Sequence, residues 1–458
     1  MEEKLKHRIF LRSIKLLNVI LLTIPFCIVW MNYYLGEISI PYFRKGNIAI
    51  AFLFAILYFI MGRTYDAYMI STNKISEIVY SQTLAILVTN AITYIVIILL
   101  CRRVPNIIPL LLSVVAEVIL SILWSIVAHK LYFHMNAPQK TLIIYDWLKN
   151  MDVFLENYEL NVKFDVVDSI EIGSIPMKEI LKRVGEVQTV FLCGLHSHER
   201  NRILKYCIAN EIRVYLNPRI GDVIMSSGKP VYMCNLPIMR VDRFNPAPEY
   251  VFFKRLIDVV LSGLTLIILS PVMLIAAICI KAEDHGPAFY KQCRLTKNGK
   301  KFNILKFRSM RIDAEKDGVA RLSTGDVDPR ITKVGRFIRQ TRIDELPQLI
   351  NILKGDMTIV GPRPERPEIA VQYEEELPEF GLRLQTKAGL TGLAQVYGKY
   401  NTTPYDKLQM DLMYIANASI LEDLRIMFAT VKILFMKEST EGITEGQTTA
   451  SCKEGGRT

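Results

Sequence analysis

Long apolar segments separated by short polar ones occupy the N-terminal part of the chain. Crossing a bilayer takes about 20 apolar residues, and four segments have this length or come close to it. They are Ile14–Tyr34, Asn47–Gly62, Leu84–Leu100 and Ile107–Ala128. Lysine and arginine are concentrated at the start of the first segment, so the positive-inside rule places the N-terminus in the cytoplasm. The pattern predicts a four-helix transmembrane bundle over residues 1–135, with both ends in the cytoplasm.

The fourth apolar segment contains one carboxylate, Glu117. A charged side chain inside a membrane span is costly, and such residues commonly have a partner or a function. The sequence identifies no partner for it. We therefore favour a packing role within the bundle, and a functional role stays open.

Short β-rich runs that alternate with helical ones begin at Gln139. This alternation is typical of a parallel α/β sheet and predicts a Rossmann-like domain over residues 136–245. The predicted strands are Thr141–Tyr145, Val162–Val167, Thr189–Cys193 and Val214–Asn217, with a helix over Glu199–Asn210.

The central domain lacks the glycine loop that would let a pyrophosphate approach the backbone after its first strand. Asp146-Trp147-Leu148-Lys149 stands there instead, so we expect no dinucleotide site. We expect His196 and His198 to have no carboxylate or thiol partner, and we interpret them as loop residues rather than metal ligands.

A further apolar run, Ile257–Ile280, is long enough to cross a membrane. Cations lie at both of its ends, and a crossing would place a dense positive segment outside the cell, against the charge rule. Ser270-Pro271 lies in its middle, and proline removes a helical hydrogen bond. We predict a re-entrant membrane hairpin over residues 246–281 that breaks at Ser270 and Pro271; a kinked fifth transmembrane helix is the alternative.

Composition narrows the class of protein. The chain has 458 residues, of which 51% are hydrophobic and 22% charged, which excludes a disordered chain, a coiled coil and a collagen-like repeat. Its formal net charge of +11 fits an anionic partner: nucleic acid, anionic lipid or a phosphorylated substrate. The eight cysteines are scattered without a C-x-x-C pair, so we expect neither a zinc site nor a disulfide framework.

Residues 282–436 are predicted to form a mainly helical soluble domain, followed by a disordered tail over residues 437–458. In this domain Lys306 and Arg308 alternate with Phe307 as in a strand, which puts both cations on one face, where they suit a diphosphate.

A second candidate feature is a carboxylate pair, Asp344-Glu345, that precedes Pro347. Proline is tolerated only in the first helical turn, so we expect both carboxylates at a helix start, where the dipole keeps them ionised and attracts phosphate. Asp344, Gln348 and Asn351 form a polar stripe on this helix. An ionised aspartate beside a phosphoryl group can serve as nucleophile or magnesium ligand.

A third feature is Arg363, framed by Pro362 and Pro364 after Gly361. Two prolines fix the backbone on either side of the guanidinium, so this side chain has less conformational freedom to lose when it binds an anion.

Together these motifs resemble the bacterial sugar transferase family, the polyprenyl-phosphate glycosyl-1-phosphate transferases, in its large multi-domain branch. The resemblance covers about 180 residues and rests on motifs in register. These are Lys254-Arg255-x-x-Asp258, Ser270-Pro271, Gln292-x-Arg294, Lys306-Phe307-Arg308-Ser309-Met310, Asp328-Pro329-Arg330-Ile331-Thr332-x-x-Gly335-Arg336, Asp344-Glu345-Leu346-Pro347-Gln348, Gly355-Asp356-Met357, Gly361-Pro362-Arg363-Pro364, Thr391-Gly392-x-Ala394-Gln395 and Asp411-x-x-Tyr414.

The resemblance implies a transfer of sugar 1-phosphate from a nucleoside diphosphate sugar, by default a UDP-hexose, to polyprenyl (undecaprenyl) phosphate. It implies that Asp344 is the nucleophile and the ligand of a Mg²⁺ ion, and that Glu345 completes the catalytic pair. The implied substrate-binding residues are Lys306, Arg308, Arg330, Arg339, Gln348 and Arg363.

The resemblance also sets expectations for the cellular context. The protein is expected in the bacterial plasma membrane with its catalytic domain on the cytoplasmic face, in exopolysaccharide, capsule or O-antigen assembly. A homodimer is possible, and no nucleic acid is expected. Two alternatives stay open: an NAD-dependent sugar-modifying enzyme, disfavoured by the missing glycine loop, and a non-catalytic membrane scaffold, disfavoured by the intact Asp344-Glu345 pair and by Arg363.

Overall fold

The computed structural model describes residues 2–38, 44–146, 163–311, 330–398 and 402–434. The chain forms two compact units, Met1–Asn217 and Pro218–Thr458. The predicted tail over residues 437–458 and the predicted loop residues Trp147, Leu148 and Lys149 lie outside the described residues.

The first unit begins with long apolar helices that contain the four predicted spans. Helix α1, Glu2–Val29, continues through a π-helical turn, Trp30–Tyr34, to Glu37. It is followed by α2 (Arg44–Thr64), α3 (Ile75–Cys101) and α4 (Ile108–Met135). All four are long and apolar enough to cross a membrane, as is a fifth helix, Pro248–Asp284, so the predicted helical N-terminal region with several candidate spans is confirmed. The helices extend past the predicted spans into the flanking polar residues.

A parallel sheet completes the first unit. Its strands are β1 (Gln139–Tyr145), β2 (Phe164–Glu171), β3 (Thr189–Cys193) and β4 (Arg213–Leu216), in the order β2-β1-β3-β4, with helices α5 (Met177–Gly185) and α6 (Ser197–Ala209) between them. Every pairing is parallel, so the predicted α/β sheet is confirmed. Leu142, Ile144, Val190 and Leu192 lie in its core.

The end of this sheet corrects one statement about its histidines. His196 Nε2 lies 3.7 Å from Asp146 Oδ2, because β1 and β3 run in parallel and their carboxyl ends meet at the same edge. The pair is not a metal centre by itself, and no cluster of three or more metal-ligating side chains occurs among the described residues.

The second unit starts at residue 218 rather than at 246. Helix α7, Ile220–Ser226, places Ile220 and Val223 in the same apolar core as Val360 and Leu408, so residues 218–245 fold with the C-terminal part. A hairpin of β5 (Lys229–Met233) and β6 (Leu236–Arg240) follows.

The rest of the second unit is helical with short strands. Its strands are β7 (Phe289–Leu295), β8 (Lys301–Phe307), β9 (Thr358–Val360) and β10 (Gly389–Thr391). Its helices are α8 (Pro248–Asp284), α9 (Lys333–Gln340), α10 (Gln348–Lys354), α11 (Pro367–Glu376), α12 (Leu393–Tyr397), α13 (Pro404–Ala416) and α14 (Ile420–Leu434). Strands β7 and β8 pair antiparallel, whereas β9 and β10 pair in parallel.

Helix α8 runs unbroken through Pro271 for 37 residues. Ser270 and Pro271 therefore do not end the helix as predicted, and a change of direction at this proline stays a prediction. Pro271 has no N–H to give to the carbonyl of Ile267, but the Ser270 hydroxyl donates to that same carbonyl at 2.8 Å. The side chain thus replaces the missing backbone bond and lets the helix continue.

The N-terminal half of α8 is fastened to the second unit by buried polar contacts. Arg255 donates to the last carbonyls of α10, at 2.6 Å to Ile352 and 2.7 Å to Leu353. Asp258, 5% exposed, accepts from the Thr358 hydroxyl at 2.7 Å.

The C-terminal half of α8 contacts the same unit. Asp284 pairs with Arg308, and Glu283 accepts from the backbone N–H of Lys333 at 2.8 Å. Ala276 and Ile280 pack against Phe307 in one apolar cluster. Elsewhere the helix is apolar and exposed, as at Leu264, Ile267, Ile268, Leu274, Ile275 and Ile278. An exposed apolar surface of this kind on one helix is typical of contact with a membrane or with another protein.

Cysteine accessibility tests the predicted re-entrant topology. In a cysteine-free variant, Glu249→Cys and Lys300→Cys place single thiols at exposed positions near the two ends of α8. Because both ends are held by one compact unit, we expect both thiols to be protected from an impermeant maleimide in intact cells and labelled after permeabilisation. Labelling of only one of them in intact cells would identify a true fifth span.

Candidate active site

Glu345 lies between two cations that reach it from different elements. It belongs to a single 3₁₀ turn, Ile343–Glu345, and its Oε1 accepts from Lys306 Nζ of β8 at 2.9 Å and from Arg363 Nη2 at 3.1 Å. Burial by itself raises the pKa of this carboxyl, but Lys306, Arg363 and Arg342 outweigh that effect and hold its pKa well below its usual range. Glu345 is therefore ionised and electrically compensated.

Asp344 is in the opposite situation. Its side chain is 9% exposed, and among the described residues its carboxylate makes no hydrogen bond or ion pair. Burial, followed by the charge of Glu345, raises its pKa to about 6, although Lys306, Arg339 and Arg342 act in the other direction. At neutral pH this carboxylate is ionised and poorly solvated, which is the state in which a carboxylate is most nucleophilic.

The backbone around the pair differs from the prediction. Hydrogen bonds here are of the i→i+3 kind, such as Leu346 N–H to Ile343 C=O at 3.1 Å, and α10 begins only at Gln348. Asp344 therefore lies in a 3₁₀ turn just before α10 and not in the first turn of an α-helix as expected, and Lys306, Arg339 and Arg342 act on its charge.

Three of the predicted cations gather at the pair. Lys306 and Arg363 contact Glu345, and Arg339 of α9 is close enough to lower the pKa of Asp344. Arg339 Nη1 is buried and has no hydrogen-bond partner among the described residues, so it is available to an anion.

Two predicted cations lie elsewhere. Strand β8 ends at Phe307, which is buried, and the next residue, Arg308, pairs with Asp284 of α8 and is 7% exposed. Lys306 and Arg308 therefore pair with two different carboxylates, Glu345 and Asp284, and do not form one shared diphosphate site. Arg330 lies beside Arg311, whose N–H donates to the Arg330 carbonyl at 2.9 Å.

The polar stripe on α10 contributes to packing, since Asn351 bonds α10 to strand β8. Asn351 donates to the Asn303 carbonyl and accepts from the Leu305 N–H, both at 2.9 Å, and so fixes α10 to β8. Gln348 is 3% exposed, so it can meet a substrate only from inside the site.

Arg363 stands on a loop with a rigid backbone. A Cβ at Gly361 would lie 2.5 Å from the Lys387 carbonyl, so only glycine fits there. The Arg363 carbonyl accepts from Arg383 Nη2 at 2.9 Å, and the Pro364 carbonyl accepts from Arg294 Nη1 at 3.2 Å. The Arg363 side chain itself remains 44% exposed and can contact a ligand.

Sequence reasoning missed the charged network behind this loop. Arg383, whose side chain is 4% exposed, lies 2.7 Å from Asp411 and 3.6 Å from Glu365. Burial raises the pKa of Asp411 to about 6, which Arg383 partly offsets. Asp411 was part of a recognised motif, but its partners lie far away in the sequence and no local pattern connects them.

Arg342 was missed as a site residue although it belongs to the same motif as Asp344. Its φ of 58° places it in the left-handed region just before the 3₁₀ turn, and its charge acts on both carboxylates. Sequence gives no signal for this backbone conformation in a residue other than glycine.

The acidic, histidine and cysteine side chains near the site determine whether it can bind a metal ion. Among the described residues no three acidic, histidine or cysteine side chains converge, so the protein does not form a complete metal cage there. One unpaired carboxylate, Asp344, fits the way Mg²⁺ is commonly held, by one or two carboxylates together with substrate phosphates.

Comparison with known proteins bears on the second unit. The model of the bacterial sugar transferase family matches residues 249–437. A UDP-N-acetylgalactosamine-undecaprenyl-phosphate N-acetylgalactosaminephosphotransferase of Aeromonas hydrophila is 33% identical over 276 residues, 60% of this chain and 62% of that one. UDP-glucose:undecaprenyl-phosphate glucose-1-phosphate transferases of Klebsiella pneumoniae and Caulobacter vibrioides are 41% and 40% identical over 192 and 191 residues.

The matches differ in how much of each relative they cover. They span 62% of the Aeromonas protein and 41% of the Klebsiella protein, but 71% of the Caulobacter protein. In each case 41% or more of this chain is covered, and the family match contains Asp344, Glu345 and Arg363. The chain belongs to the bacterial sugar transferase family.

Proposed function

We propose that this protein transfers a sugar 1-phosphate from a UDP-sugar to undecaprenyl phosphate, giving undecaprenyl-diphosphate sugar and UMP. Relatives that are 33–42% identical carry names for this reaction with UDP-glucose or UDP-N-acetylgalactosamine. The observation that carries the proposal is the carboxylate pair, in which Glu345 is neutralised by two cations and Asp344 is left ionised and unpaired.

In the first half-reaction a carboxylate oxygen of Asp344 attacks the β-phosphorus of the UDP-sugar. An acyl phosphate bond forms, the bond from the β-phosphorus to the bridging oxygen breaks, and UMP leaves with that oxygen and its electron pair. In the second half-reaction an oxygen of undecaprenyl phosphate attacks the same phosphorus and releases the Asp344 carboxylate. Two anionic substrates therefore never need to share the site, which avoids their mutual repulsion.

The cations around the pair bind and orient the diphosphate. Four of them act on only two carboxylates, namely Lys306, Arg339, Arg342 and Arg363, so the site keeps an excess of positive charge for an anionic substrate. Arg363 offers a planar fork on a rigid loop, and Arg339 has an unpartnered nitrogen within the described residues. Bound Mg²⁺ would be held by Asp344 and the substrate phosphates and would offset the charge repulsion between them.

The membrane part determines where this chemistry takes place. We infer that α1–α4 form a transmembrane bundle, that the parallel sheet is Rossmann-like, and that α8 is re-entrant with the second unit on the cytoplasmic face of the bacterial plasma membrane. The exposed apolar surface of α8 and its anchorage at both ends support this arrangement. It would hold the site at the depth of the lipid phosphate, next to cytoplasmic UDP-sugars.

Removing the charge of Asp344 tests its role in the transfer. Asp344→Asn keeps the size of the side chain but has no nucleophilic oxygen, so we expect a folded protein whose UMP release from a UDP-sugar falls by about a thousandfold or more. Asp242→Asn, at an exposed carboxylate in the same unit, is the control and should leave the rate unchanged. A rate for Asp344→Asn within tenfold of wild type would contradict the proposal.

The pKa of Asp344 predicts the pH dependence of the first half-reaction. Because burial raises this pKa to about 6, Asp344 is protonated below that pH, and the single-turnover rate of UMP release should fall as the pH is lowered through about 6. Omitting undecaprenyl phosphate avoids the titration of its own phosphate, whose second pKa is also about 6.

Lys306 lowers the pKa of Asp344, so in Lys306→Met the fall in rate should occur at higher pH than in wild type. Lys301→Met, at an exposed position of the same strand, is the matched control. A decline centred near pH 4, the ordinary range of a carboxyl, or a shift to lower pH in Lys306→Met would contradict this account.

A further inference from the structure

The four N-terminal helices each contribute a buried polar side chain that the transfer chemistry does not use. Asn18 of α1, Tyr58 of α2, Asn90 of α3 and Glu117 of α4 are each at most 3% exposed. The Tyr58 hydroxyl donates to Asn18 Oδ1 at 3.0 Å, and Asn90 Nδ2 donates to Glu117 Oε2 at 2.7 Å. Glu117 therefore has a partner that the sequence alone did not identify, on the neighbouring helix.

Glu117 has no buried cation beside it in the described part of α1–α4. Among the described buried residues of α1–α4, its carboxyl is the only charged or histidine side chain, and the polar groups near it are hydroxyls and amides. From the other helices it is faced by Asn90 of α3, and the phenol of Tyr58 of α2 lies near it. An isolated carboxylate in such surroundings costs several kcal/mol or more, and such groups commonly take up a proton instead.

One oxygen of Glu117 and one of Asn90 lack a hydrogen-bond partner. Among the described residues, Glu117 Oε1 and Asn90 Oδ1 are buried and have no partner, although their neighbouring atoms are bonded to each other. Both are acceptors when the carboxyl is ionised. One proton on Oε1 would convert it into a donor to Asn90 Oδ1, and the single bond would become a two-bond acid–amide pair.

We propose that Glu117 and Asn90 form a proton-binding site inside the N-terminal helices, in which Glu117 is carried as a carboxylic acid that donates to the Asn90 amide. The bound proton joins α3 to α4 through two hydrogen bonds. Its loss to the buffer leaves a buried carboxylate without a cation, so proton binding stabilises the packing of these two helices.

Infrared spectroscopy of the full-length protein in lipid nanodiscs tests the proposal. A protonated carboxyl has a C=O stretch that a carboxylate lacks and that shifts in D₂O. We expect this band at neutral pH in wild type and its loss in Glu117→Gln, a neutral variant that can keep both hydrogen bonds to Asn90. Glu77→Gln, at a half-buried position in the first turn of α3, should retain the band.

Thermal unfolding of the same samples gives a second measurement. Wild type should lose stability as the pH is raised, since deprotonation charges the buried site, whereas Glu117→Gln should lose less. Two results would overturn the proposal: no Glu117-dependent band at neutral pH, or a band that is absent in sodium chloride and present in choline chloride. The second result would identify a sodium site instead.

Discussion

The pairing of Glu345 with Lys306 and Arg363 is the interaction on which the rest of the site depends. It joins strand β8, the 3₁₀ turn and the Arg363 loop at one carboxylate oxygen. Both cations pair with Glu345, and neither pairs with the adjacent Asp344. Asp344 is thereby left buried, ionised at neutral pH and without a partner in the described structure. Two adjacent carboxylates have different electrostatic environments because only one of them is paired with cations.

The surrounding fold keeps this asymmetry in place. Arg383 and Arg294 hold the carbonyls of the Arg363 loop, and Asn351 fastens α10 to β8. Helix α8 contributes at both ends, since Asp258 binds the start of β9 and Asp284 binds Arg308. A long helix with an exposed apolar surface is thus part of the frame of the candidate active site.

Sequence reasoning succeeded where the signal was local. The apolar segments, the strand Thr189–Cys193 and the pair Asp344-Glu345 could be recognised because hydrophobic period and motif lie within a few residues. Sequence reasoning failed where a residue far away in the sequence determines the local structure. Arg308 pairs with Asp284, which lies on another element, and α8 stays helical through Pro271, where the Ser270 hydroxyl bonds the carbonyl that the proline leaves free. The 3₁₀ geometry before α10 depends on Arg342 adopting a positive φ, which composition does not reveal.

The central claim is that Asp344 carries the sugar phosphate between two half-reactions. The most direct measurement is rapid-quench mass spectrometry of the full-length protein with Mg²⁺ and a UDP-sugar, UDP-glucose or UDP-N-acetylgalactosamine, in the absence of lipid acceptor. The account predicts up to one equivalent of UMP and a sugar-phosphate adduct on the peptide that contains Asp344. UMP released only when undecaprenyl phosphate is also present, with no adduct at any quench time, would contradict it and indicate direct transfer between the two substrates.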